Sequence, residues 1–196
     1  MFVSLAASCI AGIPLGIWAA RSTAAHRVII PAVGVLQTVP SLALLAFLIA
    51  LLNQIGTLPA LVALFLYGLL PIVRNTATGL IEVPRGLPHA AEALGLRRGE
   101  ILRLIELPLA SRTILAGVKT SAVINVGTAT IAAFIGAGGY GERIVAGLAV
   151  NDNALLLAGA VPAAVLAIIT EAGFGLAERW LVPRGLRIVA SGKRGD

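Results

Sequence analysis

Long apolar runs alternate with short polar breaks along most of the chain. Five runs have the length of a bilayer span: about Phe2 to Ala20, Val28 to Leu52, Leu58 to Val73, Thr113 to Ile135 and Ala154 to Leu176. Crossing a hydrocarbon core of about 30 Å takes roughly 20 apolar residues in a helix, so each run is read as one span, the third being the shortest. The expected fold is therefore all-α: a single polytopic membrane domain over residues 1–196 with about five transmembrane helices.

Polar residues within these runs fall at helical spacings. Ser121, Asn125 and Thr128 stand at i, i+4 and i+7 in the fourth run, one stripe of a helix. In the second run Gln37 and Ser41 share a face beside Pro40, which removes a backbone hydrogen bond and predicts a kink. Polar groups at membrane depth are costly unless they face protein or water. These five residues are the candidates for lining a translocation pathway, and hydrogen bonds between helices are the alternative role for each.

One polar connection is long. From about Arg74 to Arg112 the sequence mixes charge with apolar residues, and Ala90, Ala91 and Leu94, then Ile101, Leu102 and Ile105, recur at spacings of three and four. Pro84, Pro88, Gly95, Gly99 and Pro108 punctuate it, which predicts short helices. A connection of this length usually carries a function; an amphipathic surface loop and a docking surface for a soluble partner both fit the pattern.

Composition supports the membrane assignment: 58% of residues are hydrophobic, 12% are charged and the mean hydropathy is +0.97. Soluble domains carry about 25% charged residues. A net charge of +6 would suggest nucleic-acid binding in a soluble protein, but only 5% of residues are aromatic, too few for base-stacking platforms, so no nucleic-acid partner is expected. Of the 15 Lys and Arg, all but Arg143 fall in alternate connections. They are Arg21 and Arg27; Arg74, Arg85, Arg97, Arg98, Arg103, Arg112 and Lys119; and Arg179, Arg184, Arg187, Lys193 and Arg194. The positive-inside tendency then places the N-terminus outside and the long connection and a basic tail, about 179–196, in the cytoplasm. A cleaved signal peptide is not expected, because its cations precede the apolar run, whereas here the first is Arg21.

Several chemistries find no support. One cysteine, Cys9, makes no disulfide framework, and His26 and His89 are far apart, so no metal centre or catalytic set is expected. Neither Lys119 nor Lys193 stands in the Gly-Lys-Ser/Thr setting of a P-loop, so ATP-driven work would need a separate polypeptide. Gly136, Gly138 and Gly141 satisfy G-x-G-x-x-G, but a dinucleotide site needs a strand and a βαβ unit; a tight re-entrant turn or helix break at the outer mouth is expected instead. The neighbouring Glu142, Arg143 and Asp152 suit either an external binding protein or plain solvation. Lys119 and Glu171 are expected to snorkel, and Trp18 and Trp180 to anchor at the interfaces. No aromatic cage for a cationic solute is visible.

The long connection also carries a recognisable pattern. His89-Ala90-Ala91, three residues, Gly95, nine residues, Ile105, one residue, Leu107-Pro108 matches E-A-A-x3-G-x9-I-x-L-P in every element but the first. This resembles the cytoplasmic loop of bacterial ABC importer permeases, in which a short coupling helix sits in a groove of the ATPase subunit. Three further stretches, Gln37 to Leu45, Leu69 to Thr76 and Gly127 to Gly141, resemble the osmoprotectant branch, which handles glycine betaine, carnitine and choline. The resemblance covers roughly residues 10–180. It implies ATPase coupling by His89, Ala90, Ala91, Glu92, Gly95, Ile105, Leu107 and Pro108, with Glu92 one turn from the position where His89 replaces the usual glutamate. It also implies ATPase subunits, a second permease copy or sister chain and an extracytoplasmic binding protein as partners. The implied location is the bacterial inner membrane. An ion-driven secondary transporter would need inverted repeats and buried ionisable residues, and neither is evident; a non-transporting scaffold would leave the polar stripes unexplained.

Overall fold

In a computed structural model of the chain, residues 1–181 are described, and they are helical throughout apart from short turns. Arg184, Arg187, Lys193 and Arg194 of the expected basic tail lie outside the described residues. Four helical stretches are long and apolar enough to cross a membrane: α1 (Phe2–Arg21), α4 (Thr57–Ile81), the run from Arg98 to Ile135, and Asn153–Glu178 within α9 (Asn153–Leu181). The run from Arg98 is one continuous helical path. It comprises α6 (Arg98–Ile101), a π-turn (Leu102–Glu106), α7 (Leu107–Ile131) and a 3-10 turn (Ala132–Ile135).

The second expected span is sharply broken, and counting the bent pair as one span gives five. It forms two helices, α2 (Thr23–Thr38) and α3 (Ser41–Leu52), bent by 100° across Pro40. Proline supplies neither the N–H nor the space a helix interior needs, and here the chain breaks rather than kinks. The Tyr67 hydroxyl donates to the Val39 carbonyl at 2.6 Å, fastening the break to α4. Leu44, Leu45 and Leu48 of α3 pack on Ala63 and Tyr67 of α4, with Ile124 and Ile131 of α7 beside them.

The third span is not short, because α4 runs 25 residues and absorbs Arg74 to Ile81. The connection correspondingly shrinks to Glu82–Arg97, with a single short helix, α5 (Gly86–Ala93). A further helix, α8 (Tyr140–Val150), follows the glycine-rich turn, where Gly136, Gly138 and Gly139 all have positive φ, and it packs back against α9.

The centre of the bundle is α4, enclosed by α1, α2 and α7. Close approach depends on small residues: a Cβ on Gly68 would lie 2.7 Å from the hydroxyls of both Ser8 and Ser121. A Cβ on Gly117 would lie 2.6 Å from the Pro71 carbonyl. Membrane helices gain by packing backbones this tightly, since lipid offers no hydrophobic drive between them. By contrast, α9 presents Leu157, Val161, Val165, Ile168, Ile169 and Leu176 outward, an aliphatic face suited to lipid.

Candidate coupling helix and translocation surface

The short helix α5 has two faces. Ala91 is buried and Pro88 half-buried against the bundle, whereas Leu87, Ala90 and Leu94 lie on an exposed face at i, i+3 and i+7. Leu94 is 81% exposed, a large apolar side chain left without cover. Gly95 ends the helix at φ +86°. Its N–H donates to the Glu92 carbonyl, and the Leu96 N–H to the Ala91 carbonyl, at 3.0 and 3.1 Å. That pair of bonds is the Schellman termination, for which glycine is favoured because a Cβ is strained at positive φ.

His89 and Glu92 are exposed on α5. Glu92 lines a shallow groove with Arg21, Pro88, Arg98, Ile101 and Glu106. The groove's far wall is pinned by an ion pair, Arg21 to Glu106 at 2.6 Å, which ties the end of α1 to the π-turn. Glu100 accepts from the Arg97 N–H at 2.7 Å and so starts α6. Ile105, Leu107 and Pro108 are half-buried in the π-turn and the first turn of α7. The pattern noted in the sequence therefore spans two elements, an exposed elbow and the helix that bears it.

Polar residues of the spans divide similarly. Ser121 and Asn125 are fully buried inside the protomer, and neither side chain has a hydrogen-bond partner among the described residues. Gln37, Ser41 and Thr128 are only half-buried. Gln37 and Ser41 flank the break at Pro40, while Ser121 lies against Gly68. Thus the five candidates do not share one surface. Lys119 and Glu171 do not simply snorkel but pair at 3.2 Å, and Arg112 pairs with Glu178 at 3.0 Å. These two pairs form successive rungs between α7 and α9. No group of three or more His, Cys, Asp or Glu able to hold a metal occurs among the described residues.

Sequence reasoning missed two features. Leu87, Ala90 and Leu94 form a stripe readable from spacing alone once Gly95 is known to end the helix. Arg74 stands on α4 itself, exposed beside Thr78; the charge had marked the end of a span when the helix in fact continues.

A bundle of apolar helices with a broken pair, α2 and α3, and an exposed short helix, α5, defines a multi-pass membrane component. Residues 12–184 match the family described as "Binding-protein-dependent transport system inner membrane component", and the chain belongs to that family. It is accordingly a transport subunit of the inner membrane. It is 44% identical over 175 residues to the choline transport system permease protein OpuBB of Bacillus subtilis (strain 168), covering 89% of this chain and 80% of that one. It is 43% identical over 177 residues to the carnitine transport permease protein OpuCD of Listeria monocytogenes, covering 90% and 79%. It is 40% identical over 182 residues to the osmoprotectant import permease protein OsmW of Salmonella typhimurium, covering 91% and 85%. Among solved structures, a chain of the inward-facing MetNI methionine ABC transporter superposes with a TM-score of 0.83 at 22% identity, over 93% of this chain and 91% of that one. This likeness concerns the fold alone.

Proposed function

We propose that the chain is the permease subunit of an ATP-driven importer for a small osmoprotectant of the glycine betaine, choline and carnitine class. A binding protein delivers the solute from outside, and a separate ATPase drives the cycle. The observation that carries the reading is the uncovered Leu87–Ala90–Leu94 stripe on α5, at the end of the bundle where most cations of the described residues gather. An apolar helix face of this kind is what a partner's groove accepts. Its family membership and its relatives' names support transport and the solute class.

In this reading the N-terminus is outside and the basic end is cytoplasmic. Each of two paired permeases docks an ATPase through α5, with His89 and Glu92 at the margin. Ala91 and Leu96 anchor the elbow to the bundle, and Ile105, Leu107 and Pro108 form the lever that passes its movement into α7. Gln37 and Ser41 border the pathway at the broken span. Ser121, Asn125 and Thr128 enter it as α7 moves against α4, since a buried unpaired polar group costs about 1–3 kcal/mol and gains from a packing that gives it a partner.

The test is to reconstitute the chain with its candidate ATPase and binding protein in proteoliposomes and measure uptake of labelled betaine, choline and carnitine. ATP-dependent uptake of at least one, with solute-stimulated hydrolysis, is expected; uptake that follows an ion gradient and ignores ATP overturns the proposal. His89→Glu restores the pattern's acid and is expected to tighten coupling, read as a higher ratio of solute transported to ATP hydrolysed.

A further inference from the structure

A cavity of about 250 Å³ lies at the end of the bundle opposite α5, and none of the coupling or pathway residues lines it. Its floor is made by α4 and α7, its roof by the glycine-rich turn and Tyr140, and Leu166 of α9 closes one side. Met1, at the start of α1, borders the other. These two flanking helices expose Phe2 and Val3 on α1, and Val161 and Val165 on α9. A mouth bordered by such side chains at membrane depth meets hydrocarbon, not water.

The lining is graded along the helices. Thr57 is the first residue of α4, and Leu61 and Leu64 follow one and two turns deeper. At 1.5 Å per residue, Leu64 lies about 10 Å below Thr57. On α7, which runs the opposite way, Thr130 stands at the mouth and Val126 one turn beneath it. Hydroxyls therefore rim the cavity, and aliphatic side chains fill its depth. Tyr140, 47% exposed, adds an amphipathic ring at the rim, a residue type favoured where hydrocarbon meets headgroups. The Thr130 hydroxyl donates to the Gly127 carbonyl at 2.7 Å, which leaves its lone pairs to accept.

The grading identifies the occupant. No charged side chain lines the cavity, and Tyr140 is the only aromatic among the lining residues. A trimethylammonium group is held by several aromatic faces or by a counter-charge, so this wall does not suit one. Apolar cavities exclude water and take apolar ligands. Lipid tails are already in hydrocarbon, so the gain on entry comes from van der Waals contact with walls that otherwise face unfilled space.

We propose that this cavity holds one acyl chain of a phospholipid from the leaflet opposite α5, with the ester region at Thr57, Thr130 and Tyr140. In the topology described above that is the outer leaflet. The site depends neither on the solute carried nor on what drives transport. The seated chain supplies α9 with an apolar filler against α4 that its own, mostly outward-turned side chains do not provide.

The permease–ATPase complex is placed in nanodiscs containing a trace of phosphatidylglycerol with a diazirine partway along one acyl chain. After irradiation, adducts are mapped by peptide mass spectrometry. Wild type is expected to carry adducts concentrated on residues 57–64 and 126–130, above the level on the outward aliphatic face of α9. Ala129→Phe puts a ring into the cavity and is expected to cut the cavity adducts about tenfold, with those on α9 unchanged. Ala129→Leu is expected to give a smaller cut, and it carries the test alone if the phenylalanine variant does not assemble. Even labelling of the cavity and the α9 face overturns the proposal, as does unchanged labelling in the assembled variants. Loss of the cavity adducts on adding excess choline or glycine betaine also overturns it, and marks a solute site instead.

Discussion

Glycines do opposite work at the two ends of the α4–α7 unit. In the core, Gly68 and Gly117 sit where a single added carbon would strike Ser8, Ser121, Pro71 or Asn75. In the elbow, Gly95 has nothing within 4 Å of an added Cβ, and only its φ of +86° demands glycine. The first kind of glycine holds the bundle together by space; the second shapes a protrusion by conformation. Close packing is thus concentrated in the core, and an uncovered apolar face at the elbow.

Substitutions at the two kinds of glycine break this contrast in different ways. Gly68→Leu is expected to have the largest effect, costing about 1–3 kcal/mol or more from overpacking and lowering the yield of monodisperse protein in detergent. A variant that melts like wild type would mean that α1, α4 and α7 are not packed as described. Gly95→Val comes next. It costs about 1–2 kcal/mol locally from the left-handed backbone, and melting of the bundle is expected to change little. Co-purification with the ATPase should nonetheless be lost, and retained coupling would separate the elbow from docking.

Smaller changes sharpen the contrast. Tyr67→Phe removes the hydroxyl that holds the Val39 carbonyl. It should cost about 1 kcal/mol and loosen α3, read as faster hydrogen exchange across 39–48 with exchange in α5 unchanged. The Arg21–Glu106 pair is partly exposed, at 37% and 19%, so a double-mutant cycle by thermal melting should return only about 0.2–1 kcal/mol. A coupling energy of several kcal/mol would show that the elbow's support is as rigid as the core.

Much of this arrangement is visible in the letters, and the exceptions share a cause. Apolar length identified the places of α1, α4, α7 and α9, because it measures what lipid requires. It carries no direction, so Val28 to Leu52 reads as one span while Pro40 turns α3 through 100°. Charge ends an apolar window but not a helix: Arg74 and Arg112 marked boundaries that α4 and α7 run past. The 11 residues of α8 mix polar and apolar positions too briefly to stand out from a loop. At the elbow, Gly95 was legible as a helix end because glycine there has a local reason, whereas Ala91, expected to face a partner, is buried against the bundle. Ser121 and Asn125 were legible as a stripe, but spacing cannot say which neighbour a stripe faces, and here they face the protomer's own interior.

The central claim is that α5 is a cytoplasmic elbow held by an ATPase. With Cys9 replaced by serine, a cysteine at Leu94 can be probed in intact cells and in the purified complex. The account predicts that it resists a membrane-impermeant maleimide added outside and cross-links to the ATPase subunit after purification. Rapid labelling from outside, with no cross-link to any ATPase, would contradict it.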